Sequence, residues 1–275
     1  MLISIIITIK NEANSMPHLL DSLLVQEKPF EIIIVDASST DDTQEVVNEY
    51  ASKHKFITLL EYDSHKGDSR NYGVRHAQGE IIAFTDGSCI ANSSWLREIR
   101  KKLNEGYDAV AGKTLHFGFS GFTTLKRVKI HHKGGDASYP TCNIAYKKEI
   151  FDKIDGFDPW FKEAEDVDLN YRALDAGAKI AYNKKMIIYH IGSETLKSFI
   201  KKSFWYGFGR KELSIRHGSL AAGYDALGLV KIGKGESIWK IIRLFFGFLG
   251  YLLAIAIGGK PESKERLRKG NISKH

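Results

Sequence analysis

Cysteine is nearly absent: Cys89 and Cys142 are the only two in the chain. A single pair builds no disulfide framework, and its spacing matches no zinc motif, so a reducing compartment is the simpler reading. Proline is also scarce, at five residues, while apolar residues reach 43%. That composition argues against disorder outside the tail. The opening stretch "MLISIIITIKNE" has no basic n-region and no small-residue cleavage site, so it does not read as a signal peptide. It is too short to cross a bilayer, and its β-branched run reads as a first buried strand. No internal repeat or low-complexity tract is visible. At 275 residues the chain has room for one α/β domain and an appendage.

Acidic charge is missing from one end. Residues 1–190 hold 24 Lys/Arg against 27 Asp/Glu, whereas residues 191–275 hold 16 against 6. The net charge of +7 therefore belongs to the C-terminal third. A nucleic-acid binder would spread basic residues over a folded face with aromatics between them. Here they flank an apolar segment, which suits an anionic membrane surface and leaves nucleic acid without support.

Strand-like and helix-like runs alternate through the first part of the chain. Strands are expected at 2–9, 31–36, 56–62, 80–86 and 107–113. Helices are expected at 15–26, with Ser15 as N-cap and Pro17 in the first turn, then after "SSTDDT", and at 67–78 and 93–105. The alternation predicts an α/β fold with a mostly parallel sheet and helices on both faces. Residues 114–140 lack a clear period and read as a long loop. A helix is expected at 165–176, ended by Gly177, followed by a short strand pair at 179–182 and 186–190.

In such sheets ligands gather beyond the carboxyl ends of the strands. Thr8 to Glu12, Asp36 and Asp86 sit at that edge. In "FTDGS", Asp86 followed by Ser88 could hold a hard divalent cation, or Asp86 could simply cap a turn. Glu165, Asp166 and Asp168 crowd a helix start. That suits the helix dipole, and it equally suits a carboxylate that takes a proton from an acceptor hydroxyl. Arg70 lies on the helix before the Asp86 strand and could face a phosphate or solvent. His190 ends a strand, where packing is the commoner role for a lone histidine.

Taken in order, "IIITIKNE", "IIIVDASSTDDT", "DSRNYGVRHAQGEIIAFTDGS" and "NIAYKKEIFDKIDGFDPWFKEAEDVDLNYRALDAG" resemble the family 2 glycosyltransferases of GT-A fold. The resemblance runs from residue 2 to about 192. It implies a nucleotide pocket lined by Thr8, Lys10, Asn11 and Glu12, with Asp36 near the base and Arg70 on the donor side. It implies that Asp86 is the first acid of a metal-binding Asp-x-Asp. Asp166 becomes the general base of an inverting enzyme, with Glu165 beside it. His190 would complete the metal or diphosphate site. Two departures stand out. Ala37 replaces a second acid near the base, and Ser88 replaces the second metal carboxylate. A site of Asp86, Ser88 and His190 would take Mn2+ or Mg2+ with less charge than usual. The missing acid also leaves a non-catalytic nucleotide-sugar-binding or scaffold protein as the alternative.

The last third reads differently. Residues 195–213 place Leu196, Phe199, Ile200, Phe204 and Phe208 on one helical face, with Lys197, Lys201, Lys202, Arg210 and Lys211 off it. This is a basic amphipathic helix of interfacial type, with Trp205 and Tyr206 as headgroup anchors, or a helix packed on the first domain. Residues 238–257 are apolar, but the uncharged part from Leu244 reaches only ~21 Å, short of a ~30 Å hydrocarbon core, which leaves open a strained span, a re-entrant segment, an interfacial helix or a buried core helix. The expected organisation is a catalytic domain over 1–192, a basic helix and connection over 193–237, and an apolar helix with a basic tail over 238–275. The expected location is the cytoplasmic face of a membrane, by peripheral or monotopic attachment. The expected partners are a nucleotide diphosphate sugar and a lipid-linked or glycan acceptor, whose phosphate would meet Arg210 or Lys211.

Overall fold

The computed structural model describes residues 1–125, 127–192, 195–218 and 237–257. The expected connection after 218 and the basic tail after 257 lie outside the described residues. The first half of the chain alternates as the sequence suggests. Strands β1 (Ile3–Ile9), β2 (Phe30–Asp36), β3 (Ile57–Glu61) and β4 (Ile81–Asp86) alternate with helices α1 (Met16–Leu24), α2 (Thr43–Lys53) and α3 (Lys66–Arg75). Then come β5 (Cys89–Ala91), α4 (Trp95–Asn104), β6 (Ala109–Phe117) and α5 (Ser120–Thr123). The paired segments β7 (His131–His132) and β8 (Gly135–Asp136) precede β9 (Ile144–Lys147), α6 (Lys148–Lys153), α7 (Glu165–Asp175) and β10 (Ile180–Ile191). Two long helices close the described chain, α8 (Leu196–His217) and α9 (Ser237–Ile257).

Eight strands form one sheet in the order β3-β2-β1-β4-β9-β6-β10-β5. Six run parallel, while β9 and β5 run against them. β1 needs apolar side chains on both faces because helices cover both. Ile3, Ile5, Ile7 and Ile9 pack with Leu19, Leu20, Leu23, Trp95 and Ile99 from α1 and α4. Ile6 packs on the other side with Val74 of α3, Phe84, Phe151 and Phe157. This two-sided burial explains why the strand reads as a continuous hydrophobic run. Gly177, at φ +87°, ends α7 with a Schellman turn: its N–H donates to Leu174 C=O, and that of Ala178 to Ala173 C=O.

Three expectations change. Ser15 stands at the start of α1, but its hydroxyl donates to the carbonyl and carboxylate of Glu12 instead of accepting from a helix N–H. The stretch 114–140 is not an unstructured loop: it continues β6 to Phe117, holds α5, and closes β7 on β8 through Lys133 and Gly134. Both of those turn residues have positive φ, as a tight hairpin with right-handed twist demands. The two short strands expected at 179–190 are one strand with a bulge. Asn183 faces Gly112 and Ile187 faces Lys113, so three residues loop out. Asn183 holds the bulge by accepting the Lys185 N–H and donating to the buried Glu98 carboxylate. In addition, the four-residue β9 sits at the centre of the sheet between β4 and β6.

The bulge requires a glycine opposite it. A Cβ on Gly112 would lie 2.2 Å from Met186 O and 2.5 Å from the Asn143 side chain. Gly112→Ala should therefore destabilise the fold by about 1–3 kcal/mol through overpacking. A lowered urea midpoint with unchanged slope would register it, and an unchanged midpoint would contradict the packing described.

Candidate active site

The carboxyl ends of β1, β2 and β4 converge on one edge. Register places Thr8 beside Asp86 on one side and Val35 on the other, and it pairs Ile9 with Asp36. Beyond these ends the chain turns tightly. A Cβ at Gly87 would come within 3.0 Å of the Glu12 side chain and 3.1 Å of Ile9, which is why the turn after Asp86 starts with glycine. Asn11 adopts a left-handed conformation, at φ +56°. Its N–H donates to the Ser39 hydroxyl and its side-chain oxygen accepts the Thr40 N–H, each at 2.8 Å. The Glu12 N–H donates to Thr43 Oγ1. The first two strand-end loops are thus laced together.

Arg70 of α3 is the centre of the site. Its guanidinium donates to Glu165 Oε1 at 2.7 Å and to Asp86 Oδ1 at 3.1 Å, above the Phe157 ring. Only 4% of its side chain is exposed, against 12% for Glu165 and 34% for Asp86. The arginine is therefore sealed, while Asp86 opens to the edge. Burial acts to raise the Asp86 carboxyl, but the Arg70 charge, with Lys66 behind it, holds it below the usual carboxylate range. Asp166 has no such partner. Burial first, then the adjacent Glu165 charge, push its carboxyl up to about 7. One of its oxygens accepts the Val167 N–H. The carboxylates of Asp86 and Asp166, eighty positions apart in sequence, are thus linked through one guanidinium and its neighbour Glu165.

Glu12 is partly buried, and burial raises its carboxyl above the ordinary value. Lys10 is exposed, 3.9 Å from Asp63. Asp36 differs from expectation: it is fully buried, and it accepts the Ser39 N–H, the Ser39 hydroxyl and the Gln44 amide. It shapes the 37–43 loop from beneath. Arg210 and Lys211 lie on α8, and Lys211 sits 5.4 Å from the Tyr251 ring of α9.

Ser88 and His190 are brought together by the Ile191 N–H, which donates to Ser88 C=O at 2.9 Å. His190 lies opposite Cys89 and beside His116, ring to ring at 5.2 Å. Its Nδ1 is buried with no hydrogen-bond partner. Burial lowers the pKa of His190 and takes that of His116 down to about 4, so both rings are neutral at pH 7. Among the described residues, no three His, Cys, Asp or Glu side chains converge as a ligand set. That agrees with Ser88 standing where a second carboxylate is usual. An orphaned neutral imidazole nitrogen near an ionised aspartate still fits a mixed N/O donor set for one divalent cation.

Three side chains of α8 complete the site, and sequence reasoning missed all of them. Glu212 accepts the backbone N–H groups of Lys162 and Glu163, just before the acidic pair. His217 meets the fully buried Asp168 at 2.8 Å, and Arg216 pairs with Asp158. One signal was available: Glu212 is the sole acid on a helix with six Lys/Arg.

This sheet, with carboxylates at its strand ends and on the start of α7, defines a glycosyltransferase of the GT-A class. A family model for glycosyl transferase family 2 matches residues 4–165, more than half of the chain, and the protein belongs to that family. Glycosyltransferase AglE of Haloferax volcanii is 26% identical over 223 residues, covering 76% of this chain and 72% of that one. The dolichyl N-acetyl-alpha-D-glucosaminyl phosphate 3-beta-D-2,3-diacetamido-2,3-dideoxy-beta-D-glucuronosyltransferase of Methanococcus voltae is 25% identical over 288 residues, covering 94% and 82%. Among solved structures, mannosyltransferase PcManGT from Pyrobaculum calidifontis, in complex with GDP-Man and Mn2+, aligns with a TM-score of 0.64. It covers 98% of this chain and 79% of its own at 19% identity, a likeness of fold.

Removing the guanidinium should leave Glu165 buried beside Asp166 without compensation. Arg70→Met is expected to cost about 3 kcal/mol, the low end for breaking a buried ion pair because Asp86 is partly open to water. Chemical denaturation measures it, and a loss below about 1 kcal/mol would mean the guanidinium holds nothing in place.

Proposed function

We propose that this glycosyltransferase inverts configuration, moving a sugar from a nucleotide diphosphate donor to a hydroxyl of a lipid-linked glycan or polyprenyl phosphate at a membrane surface. One observation carries the catalytic part. Of the two adjacent carboxylates on α7, Glu165 is tied to a sealed arginine and Asp166 is not. Glu165 has an oxygen engaged by that guanidinium, whereas Asp166, raised towards neutrality, is matched to proton abstraction near pH 7. Asp166 takes the acceptor proton, and the acceptor oxygen attacks the anomeric carbon from the face opposite the departing diphosphate. Glu165 and Arg70 position it, instead of touching the donor phosphates. Thr8, Lys10, Asn11 and Glu12 line the nucleotide side, and Asp36 supports that loop from below.

Asp86, Ser88 and His190 would hold a divalent cation, Mn2+ or Mg2+. When bound, it supplies positive charge against the leaving diphosphate. The GDP-Man and Mn2+ bound to PcManGT support the same class of donor and cation here. The dolichyl N-acetyl-alpha-D-glucosaminyl phosphate for which the Methanococcus voltae relative is named supports a lipid-linked acceptor.

The membrane part rests on α9. Residues Ile238–Ile257 are apolar, with mean hydropathy 1.9, and only about a tenth of that span is buried. Phe245 and Phe248 are each more than half exposed. At ~1.5 Å per residue the helix is long enough to reach across a hydrocarbon core. Its packing favours lying in the interface instead. Phe199 meets Trp239 and Lys211 meets Tyr251, which lays α9 along α8. The other side of α8 is fixed to the catalytic domain. Upright insertion of α9 would drag that charged helix into lipid. The cytoplasmic face is the side that the flanking basic residues favour.

Asp166→Asn should lower kcat by ~10²–10⁴-fold while leaving donor binding intact. The parent should lose activity as pH falls through about 7, because the base must be ionised to accept a proton. Near-normal turnover by the variant would refute the assignment. Separately, Phe245→Ser with Phe248→Ser should weaken flotation with anionic vesicles by at least about tenfold, from the lost burial of two aromatic rings. Unchanged flotation would remove α9 from the attachment.

A further inference from the structure

The residues just before the acidic pair are held in an unusual way. Ala164, immediately N-terminal to Glu165, has φ +58°, a left-handed conformation that a residue with a Cβ does not adopt without support. The support comes from another helix. Glu212 Oε1 accepts the Lys162 N–H at 3.2 Å, and Oε2 accepts the Glu163 N–H at 3.0 Å. Only 5% of Glu212 is exposed. A turn earlier on α8, a Cβ at Gly209 would lie 2.9 Å from the Ala164 Cβ and 3.1 Å from that of Glu163. The helix backbone therefore lies directly against the loop, and only glycine permits the approach. Leu213 packs on Phe161 at the start of the same loop.

A carboxylate with one oxygen on each of two successive backbone N–H groups fixes the direction of that peptide run. It works here in a mostly apolar setting, and burial raises its own carboxyl to about 7. A salt bridge would be the cheaper use of a glutamate on so basic a helix. Both of its oxygens are engaged by the loop instead, which points to a local task.

We propose that Glu212 is a positioning residue for transfer: from α8 it sets the conformation of residues 162–164 and so aims the Asp166 carboxylate at the acceptor. This inference rests on the reading of Asp166 as the proton acceptor. It assigns Glu212 no contact with donor or acceptor. It also gives the last third of the chain a part in the chemistry, because α8 joins the catalytic loop on one side to the apolar α9 on the other. Gly207 and Gly250 allow that second contact: a Cβ on Gly250 would lie 1.9 Å from Phe204 O.

The test uses the full chain with Mn2+ and measures nucleoside diphosphate release. The donor is whichever of UDP-glucose, UDP-GlcNAc, GDP-mannose and dTDP-rhamnose gives the largest thermal shift. Glu212→Ala should lower kcat by ~100-fold, the scale of an ångström-sized misplacement, with donor KM within about twofold of the parent. Glu212→Gln keeps one acceptor oxygen and should recover most of that loss, to within ~10-fold of the parent. If the alanine variant does not fold, Gly209→Ala takes its place, because its methyl group displaces the same loop without removing the charge. It should lower kcat with donor KM unchanged. Folded variants with parental kcat, beside an Asp166→Asn enzyme that is crippled, would overturn the role of Glu212 and leave the function standing. An Asp166→Asn enzyme at full rate would overturn both.

Discussion

A single buried guanidinium, shared by two carboxylates from distant parts of the chain, organises this protein. Arg70 takes Asp86 from the end of a central strand and Glu165 from the start of a late helix, 95 positions away. Removing three charges from water is costly, and the geometry must return that cost through direct hydrogen bonds. Both bonds are made, the one to Glu165 short at 2.7 Å, and an aromatic ring lies over the guanidinium. The result is electrostatic as well as structural. Asp86 stays ionised, Glu165 is bonded to the guanidinium, and Asp166 is left to carry a proton whose affinity lies near neutrality. Two neighbouring acids thereby acquire different tasks from one asymmetry in their surroundings.

Much of this was legible in the sequence, for identifiable reasons. β1, β2 and β4 are buried on both faces, so they appear as unbroken β-branched runs ending in Asp36 and Asp86 or leading to Asn11. Gly177 at the end of α7 announced a left-handed stop. Local chemistry of that kind survives in one dimension. Long-range pairing does not. Nothing near Arg70 reveals that its partner is Glu165, and nothing near Glu212 reveals that it serves the 162–164 loop. Asp36 sits where a ligand contact was expected, yet Ser39 and Gln44 enclose its carboxylate. The bulge in β10 failed for a similar reason: "NKK" reads as a turn, and only the neighbouring strand keeps it within one strand.

The C-terminal helices change how the chain divides. A break near residue 192 follows from composition, but α8 is not an independent appendage. It meets the catalytic domain through Glu212, Arg216 and His217, and it meets α9 through glycine contacts that bring the two backbones together. Its buried face mixes Phe199 and Leu213 with Ser203, Gly207 and Gly209. Small residues there reflect close helix packing, which an amphipathic pattern based on hydrophobicity alone overlooks. The apolar face that remains unpacked belongs to α9.

A crystal structure of the enzyme with an intact nucleotide sugar and Mn2+ would test the central claim most directly. The account predicts the anomeric carbon between Asp86 and Asp166, the cation on the Asp86 side, and Arg70 still bonded to Glu165. An Arg70 side chain swung out onto the diphosphate, or an Asp166 carboxylate turned away from the sugar, would contradict it.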